Sequence, residues 1–190
     1  MEIIVGTTQF YLEKETAVAI GKFDGVHIGH RRLLEEILAQ KKNGLKSCVF
    51  TFDPPPSVLF GDSDGKELTT REEKREIFER MGIDILIEFP LTLETAAMPP
   101  QNFAREILAK QMNARFIAAG TDLSFGAKGA GNAALLRKLG PELGFEVKTI
   151  EKVCIQGEEV NSTAIRKLVT EGKMSQAEEY LGAPYTITGT

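Results

Sequence analysis

An α/β fold, with a parallel sheet covered by helices on both faces, is what this 190-residue sequence predicts. Two observations carry that expectation. Short apolar runs of strand length alternate with longer stretches whose apolar residues recur at helical spacing, an order that parallel sheets require. The chain is also long enough for one domain with a real core.

Taken in order, residues 16–21 read as a short buried strand, and residues 28–42 as a helix with Leu33, Leu34, Ile37 and Leu38 on one face. Asn43-Gly44 supplies its stop. Residues 47–52 form the next strand, and Asp53-Pro54-Pro55-Pro56 opens a loop, since such a run continues neither element. A helix over 70–81 starts at Thr70, with Glu73 three residues on as a capping box needs. Residues 83–89 are a strand, and Pro99-Pro100 starts a helix to about Met112 that turns Phe103, Ile107 and Leu108 inward. Residues 116–120 are a strand and 122–132 a glycine-rich loop. A helix over 133–143, a strand over 145–150 and short helices over 163–171 and 175–181 follow. Ligands of such sheets sit beyond the carboxyl ends of the strands, where the loops converge.

Composition narrows the function. Hydrophobic residues make up 42% and charged residues 26%, as in a soluble globular protein. The net charge is −4 and the pI about 5.4, with no clustered basic face, which argues against a nucleic-acid partner. No apolar run approaches the roughly 18 residues of a membrane span, and the amino terminus lacks a signal-peptide pattern. Cys48 and Cys154 stand in apolar contexts without metal-ligand spacing, as reduced core thiols of a cytoplasmic protein do.

The chemistry concentrates in Gly21-Lys22-Phe23-Asp24-Gly25-Val26-His27-Ile28-Gly29-His30, between a predicted strand and a predicted helix. Glycine lets a ligand approach the backbone. A helix N-terminus offers free N–H groups and partial positive charge, which suit phosphate. Both histidines of the chain lie here, three residues apart and so on one helical face. Two histidines without an obvious third ligand make a poor metal site. The segment resembles the GxFDGxHxGH signature of the nucleotidylyltransferase superfamily. With FDG before HxGH, it is similar to the FMN adenylyltransferase module of bacterial FAD synthetases, the bifunctional riboflavin kinase/FMN adenylyltransferases.

Three further segments extend the resemblance over nearly the whole chain. Residues 160–166, Val-Asn-Ser-Thr-Ala-Ile-Arg, resemble the SSTxIR segment, with Asn161 where serine is usual. Ser162 or Thr163 can cap the following helix and donate to a phosphate, and Arg166 lies about one turn in. The loop from Gly120 resembles GxDFxFGxxRxG, with Asp122 and Phe125 retained, Leu123 for the first phenylalanine, and Gly129 beside Lys128 at the arginine position. Residues 51–56 are similar to TFxPHP, with Pro55 for histidine and Phe52 on the flavin side.

The resemblance implies a Rossmann-like nucleotidylyltransferase fold and transfer of AMP from ATP to FMN, giving FAD and pyrophosphate. It implies His27, His30 and Arg166 as the catalytic set. Gly21, Phe23, Asp24, Gly25, Gly29, Ser162, Thr163, Phe52, Asp122 and Phe125 are expected around the substrates. Mg²⁺ is expected with ATP, with Asp122 able to help hold it or the acceptor. Asp24 is expected to shape the turn rather than react. The expected adenylyltransferase domain spans residues 1–185, and 186–190 stand where the riboflavin kinase domain of bifunctional members begins, so that domain is expected to be absent. A nucleotidylyltransferase for another phosphorylated small molecule, or a non-catalytic flavin- or nucleotide-binding regulator, are the alternatives.

Overall fold

The computed structural model describes residues 1–61 and 67–186; residues 187–190, most of the short tail expected to follow the domain, lie outside the described residues. Six parallel strands form the sheet: β1 (Glu2–Val5), β2 (Thr16–Ile20), β3 (Lys46–Asp53), β4 (Ile85–Pro90), β5 (Ala114–Gly120) and β6 (Glu146–Ile150). Their spatial order is β1-β4-β3-β2-β5-β6. The chain therefore winds one way from β2 through β3 to β4, then returns to add β5 on the other side of β2. The switch point lies between β2 and β5, where ligands of open α/β sheets bind.

The strands alternate between two cores with period two. Ala17, Ala19, Val49, Leu86, Phe116 and Ala118 face helices α1 (Ile28–Ala39) and, beyond a five-residue helix α2 (Pro56–Phe60), α3 (Arg71–Met81). Val18, Ile20, Cys48, Phe50, Ile85, Ile87 and Ile117 face the opposite way, toward Phe103, Ile107, Leu108 and Leu136. On that side lie the short helices α4 (Leu93–Ala96) and α5 (Pro100–Asn102), a π-helical segment Phe103–Gln111, and α6 (Ala133–Leu143). A third, smaller core joins Val153, Val160, Ile165, Ala177 and Leu181. It packs the hairpin β7 (Cys154–Ile155) and β8 (Glu158–Glu159) with α7 (Ser162–Thr170) and α8 (Met174–Leu181).

Most expected elements are present, and the predicted capping box is formed: Thr70 accepts from Glu73 N–H and Glu73 accepts from Thr70 N–H. The differences have physical causes. The helix expected to reach residue 42 is α-helical only to Ala39, and tightens to a 3₁₀ turn over Gln40–Asn43 before Gly44 in a left-handed conformation. The helix after Pro100 widens, with Met112 N–H bonded to the Ile107 carbonyl five residues back at 2.8 Å. Strand β1 escapes the sequence pattern because it is an edge strand with Ile3 and Val5 exposed, so no buried periodicity marks it. Cys48 is a buried thiol whose burial pushes its pKa up, but Cys154 is exposed, which corrects its expected place in the core. It sits on the two-residue strand β7, too short to bury both faces.

Glu88 is a buried acid in an otherwise apolar strand. The Arg75 guanidinium of α3 forks to both its carboxylate oxygens, which satisfies the charge.

Candidate functional site

The turn from β2 into α1 is strained and held from behind. Phe23, Gly25 and Val26 all take left-handed φ values of 53°, 76° and 40°. For a β-branched valine this is a genuine outlier, and such strain persists only where the surroundings over-determine it. Here they do. The Asp24 carboxylate accepts from Leu68 N–H at 2.7 Å and from Arg166 Nη1 at 2.6 Å, and the Asp24 carbonyl accepts from Ser162 Oγ at 2.9 Å. Gly25 N–H donates to Thr69 Oγ1 at 3.0 Å. A Cβ at Gly25 would stand 2.8 Å from Leu68 Cδ1, so packing as well as φ demands glycine.

His27 caps α1: its Nδ1 accepts from His30 N–H at 3.3 Å. An accepting Nδ1 leaves the proton of the neutral ring on Nε2. The two imidazoles stack, with centroids 3.6 Å apart and planes 20° from parallel. Gly29 permits this, since a Cβ there would press the His27 ring at 3.2 Å. Burial pushes His27 down to about 4, against an opposing pull from Asp122. His30 is also held well below its ordinary value, first by burial, then by His27 and Lys74. Its Nδ1 is enclosed and, among the described residues, has no hydrogen-bond partner, an unusual state for a buried polar atom. Phe23 backs the pair, its fully buried ring 5.1 Å from that of His30.

Two cavities open at the carboxyl ends of β2 and β5. One, of about 340 Å³, is lined by Gly21, His27, Gly29, His30, Asp122 and Ser162, all expected from the sequence. It also takes in Lys152, Glu159 and Asn161, which sequence reasoning did not place there. Lys152 is neutralised by Glu159 at 2.7 Å and Asp122 at 3.6 Å. The second, of about 420 Å³, is an aromatic cleft containing the expected Phe52 and Phe125. Phe60, Phe89, Leu91 and Phe103 complete it. The sequence pattern marks Phe103 only as a core residue, since no local signal distinguishes a core phenylalanine from one that walls a cleft. The cavities share Lys22 and Ser124.

The remaining expected residues stand behind the polar cavity. Phe23, Asp24 and Gly25 are buried in the turn. Arg166 faces Asp24, and its Nη2 donates to Thr163 Oγ1 at 3.1 Å. The helix cap expected of Ser162 or Thr163 belongs to Asn161, whose Oδ1 accepts from Ala164 N–H at 2.8 Å. Asparagine at this position therefore does the capping work of the usual serine, because both offer an oxygen at N-cap reach. Among the described residues no group of three or more His, Cys, Asp or Glu side chains is arranged to hold a metal. No described helix is long and apolar enough to cross a membrane.

Comparison with known proteins matches residues 10–164 to the family model described as FAD synthetase. The bifunctional riboflavin kinase/FMN adenylyltransferase of Escherichia coli K12 is 36% identical over 174 residues, 90% of this chain and 56% of that protein. A putative protein of the same description from Geobacillus thermodenitrificans is 35% identical over 171 residues, 89% of this chain and 90% of its own length. The chain thus spans little more than half of the first curated relatives. Among solved structures, a Streptococcus pneumoniae protein described as a macrolide-efflux protein superposes with TM-score 0.81 at 25% identity, covering 100% of this chain and 65% of that one. Pantothenate synthetase from Thermus thermophilus has TM-score 0.52 at 16% identity, covering 96% of this chain and 81% of that one. The latter likeness concerns the fold alone, a Rossmann-like α/β sheet.

Proposed function

The chain belongs to the FAD synthetase family, and from that membership we propose that it transfers the adenylyl group of ATP to FMN, forming FAD and pyrophosphate. The observation that carries this reading is the junction of the two cavities. An aromatic cleft suited to a flat ring system opens, at Lys22 and Ser124, into a polar cavity floored by a helix N-terminus and two histidines. A flavin in the first and a nucleotide in the second would meet phosphate to phosphate.

In this reading an oxygen of the FMN phosphate attacks the α-phosphorus of ATP. The bond from that phosphorus to the bridging oxygen breaks, and pyrophosphate carries away the electron pair. The protein supplies positioning and preorganised donors rather than a covalent intermediate. Neutral His27 and His30 suit this role, since they can donate to the triphosphate and gain charge as the anion arrives. Gly21 and Gly29 admit the nucleotide to the backbone, and Ser162 borders the phosphates. Arg166 and Thr163 would reach the outer phosphates only after Arg166 leaves Asp24. Phe52 and Phe125 would flank the isoalloxazine. Phe23, Asp24 and Gly25 act from behind, by shaping the turn. Mg²⁺ would enter as part of the MgATP substrate, and Asp122, which lines the polar cavity beside Lys152, would offer it a carboxylate oxygen. A cytoplasmic setting fits the two free thiols.

The test is incubation with FMN, ATP and Mg²⁺, followed by chromatography and detection of pyrophosphate. FAD and pyrophosphate in equal amounts are expected. Flavin binding without turnover would leave a regulator, and turnover of another phosphorylated acceptor in place of FMN would reassign the substrate.

A further inference from the structure

We propose that Lys22 binds the phosphate of the acceptor and thereby selects a phosphorylated flavin over the unphosphorylated one. The inference rests on the adenylyltransferase reading and deepens it, by naming the residue that reads the acceptor's charge.

Position is the first ground. Lys22 stands two residues past the end of β2 and lines both the aromatic cleft and the polar cavity, a property it shares only with Ser124 among their lining residues. An acceptor whose ring fills the cleft must carry its phosphate through this junction to reach a nucleotide.

Availability is the second. Lys22 is exposed and, among the described residues, its ammonium has no ion pair or hydrogen-bond partner. The other cations near the polar cavity are committed: Lys152 to Glu159 and Asp122, and Arg166 to Asp24. Lys128 also has no ion pair among the described residues, but it lines the aromatic cleft alone.

Charge is the third. Asp122, Glu151 and Glu159 line the polar cavity, and apart from Lys22 the only lysine or arginine among its lining residues is Lys152, already paired with two of them, so the excess negative charge opposes a second phosphate there. A cation at the junction offsets that repulsion. An ammonium on a flexible stem has three donors and suits a terminal phosphate that shifts during attack.

The experiment titrates FMN and riboflavin separately into the 190-residue protein, followed by flavin fluorescence without ATP, for the parent and for Lys22→Met, Lys22→Arg and Lys128→Met. Because Lys22 is exposed and has no partner among the described residues, its replacement should leave the far-ultraviolet spectrum unchanged. A charge-assisted contact at an exposed site sets the expected effect at about tenfold. The parent should prefer FMN. Lys22→Met should weaken FMN by about tenfold and leave riboflavin unaltered, Lys22→Arg should restore most of the preference, and Lys128→Met should keep it. A Lys22→Met protein that retains the preference while the parent forms FAD overturns the role of Lys22 and leaves the adenylyltransferase reading standing. A parent without preference also overturns it. A parent that binds neither flavin and forms no FAD overturns both.

Discussion

In the polar cavity the inward-facing groups are braced from behind. His27 is tied to the first turn of α1, Asp24 holds the turn to Leu68 and Arg166, and Ser162 holds it to α7. In the aromatic cleft the outer wall comes from short helices. Phe60 closes the five-residue α2 and is 55% exposed, while α4 has four residues and leaves Leu93 75% exposed. One half is a preorganised donor array, and the other is an apolar surface with an open rim. Orienting phosphate needs fixed dipoles, whereas holding a flat ring needs only area and shape. The two halves should therefore fail differently when cut.

The largest effect is expected at His30. His30→Ala removes a donor where charge develops, which in other enzymes costs about 10²–10³ in rate. Turnover at saturating substrates should fall on that scale while ATP affinity, measured by calorimetry, changes far less. Equal losses in both would make His30 a binding group, and no loss would remove the contrast between the halves.

Next comes the brace. Asp24→Ala leaves Leu68 N–H and Arg166 without their acceptor, a loss of about 2–4 kcal/mol. The midpoint of thermal unfolding should drop by several degrees. A drop no larger than that of an exposed surface variant would show that the turn holds itself.

Acid should loosen the same half. Both histidines are neutral when folded below the pH at which they charge in the unfolded chain, so the unfolded state binds more protons in that window. Stability is then complete above about 6.5 and falls as the pH drops toward about 4. For His27 the full excursion is worth roughly 3 kcal/mol at most. Denaturant melts of the parent and of His27→Phe between pH 7 and 4 measure it; parallel slopes would refute the assignment.

The smallest effect belongs to the cleft. Phe60→Ala removes an exposed ring and should weaken FMN binding by about three- to tenfold, with an unchanged melting midpoint. A stability loss instead would mean that α2 is braced like the turn.

The contrast also explains what could be read in advance. Positions such as Gly25, Gly29 and His27 answer to backbone geometry and a cap, which allow few residue types, so they stand out in one dimension. Phe89, Leu91 and Phe103 answer only to burial, and core and cleft share that signature. Edge strand β1 and the brief α2 and α4 lack enough periodicity to announce themselves.

The sequence by itself determined the strand–helix alternation, the capping box at Thr70 and the glycine–histidine turn, because each depends on residues within a few positions of one another. Only the tertiary structure decided that Arg166 rests on Asp24, 142 residues away, and that the Ser162 hydroxyl rests on the Asp24 carbonyl. It alone also set Lys22 between the two cavities. Those contacts arise where the winding of the sheet reverses between β2 and β5, which brings distant loops to one edge, and no local pattern encodes which side chains meet there.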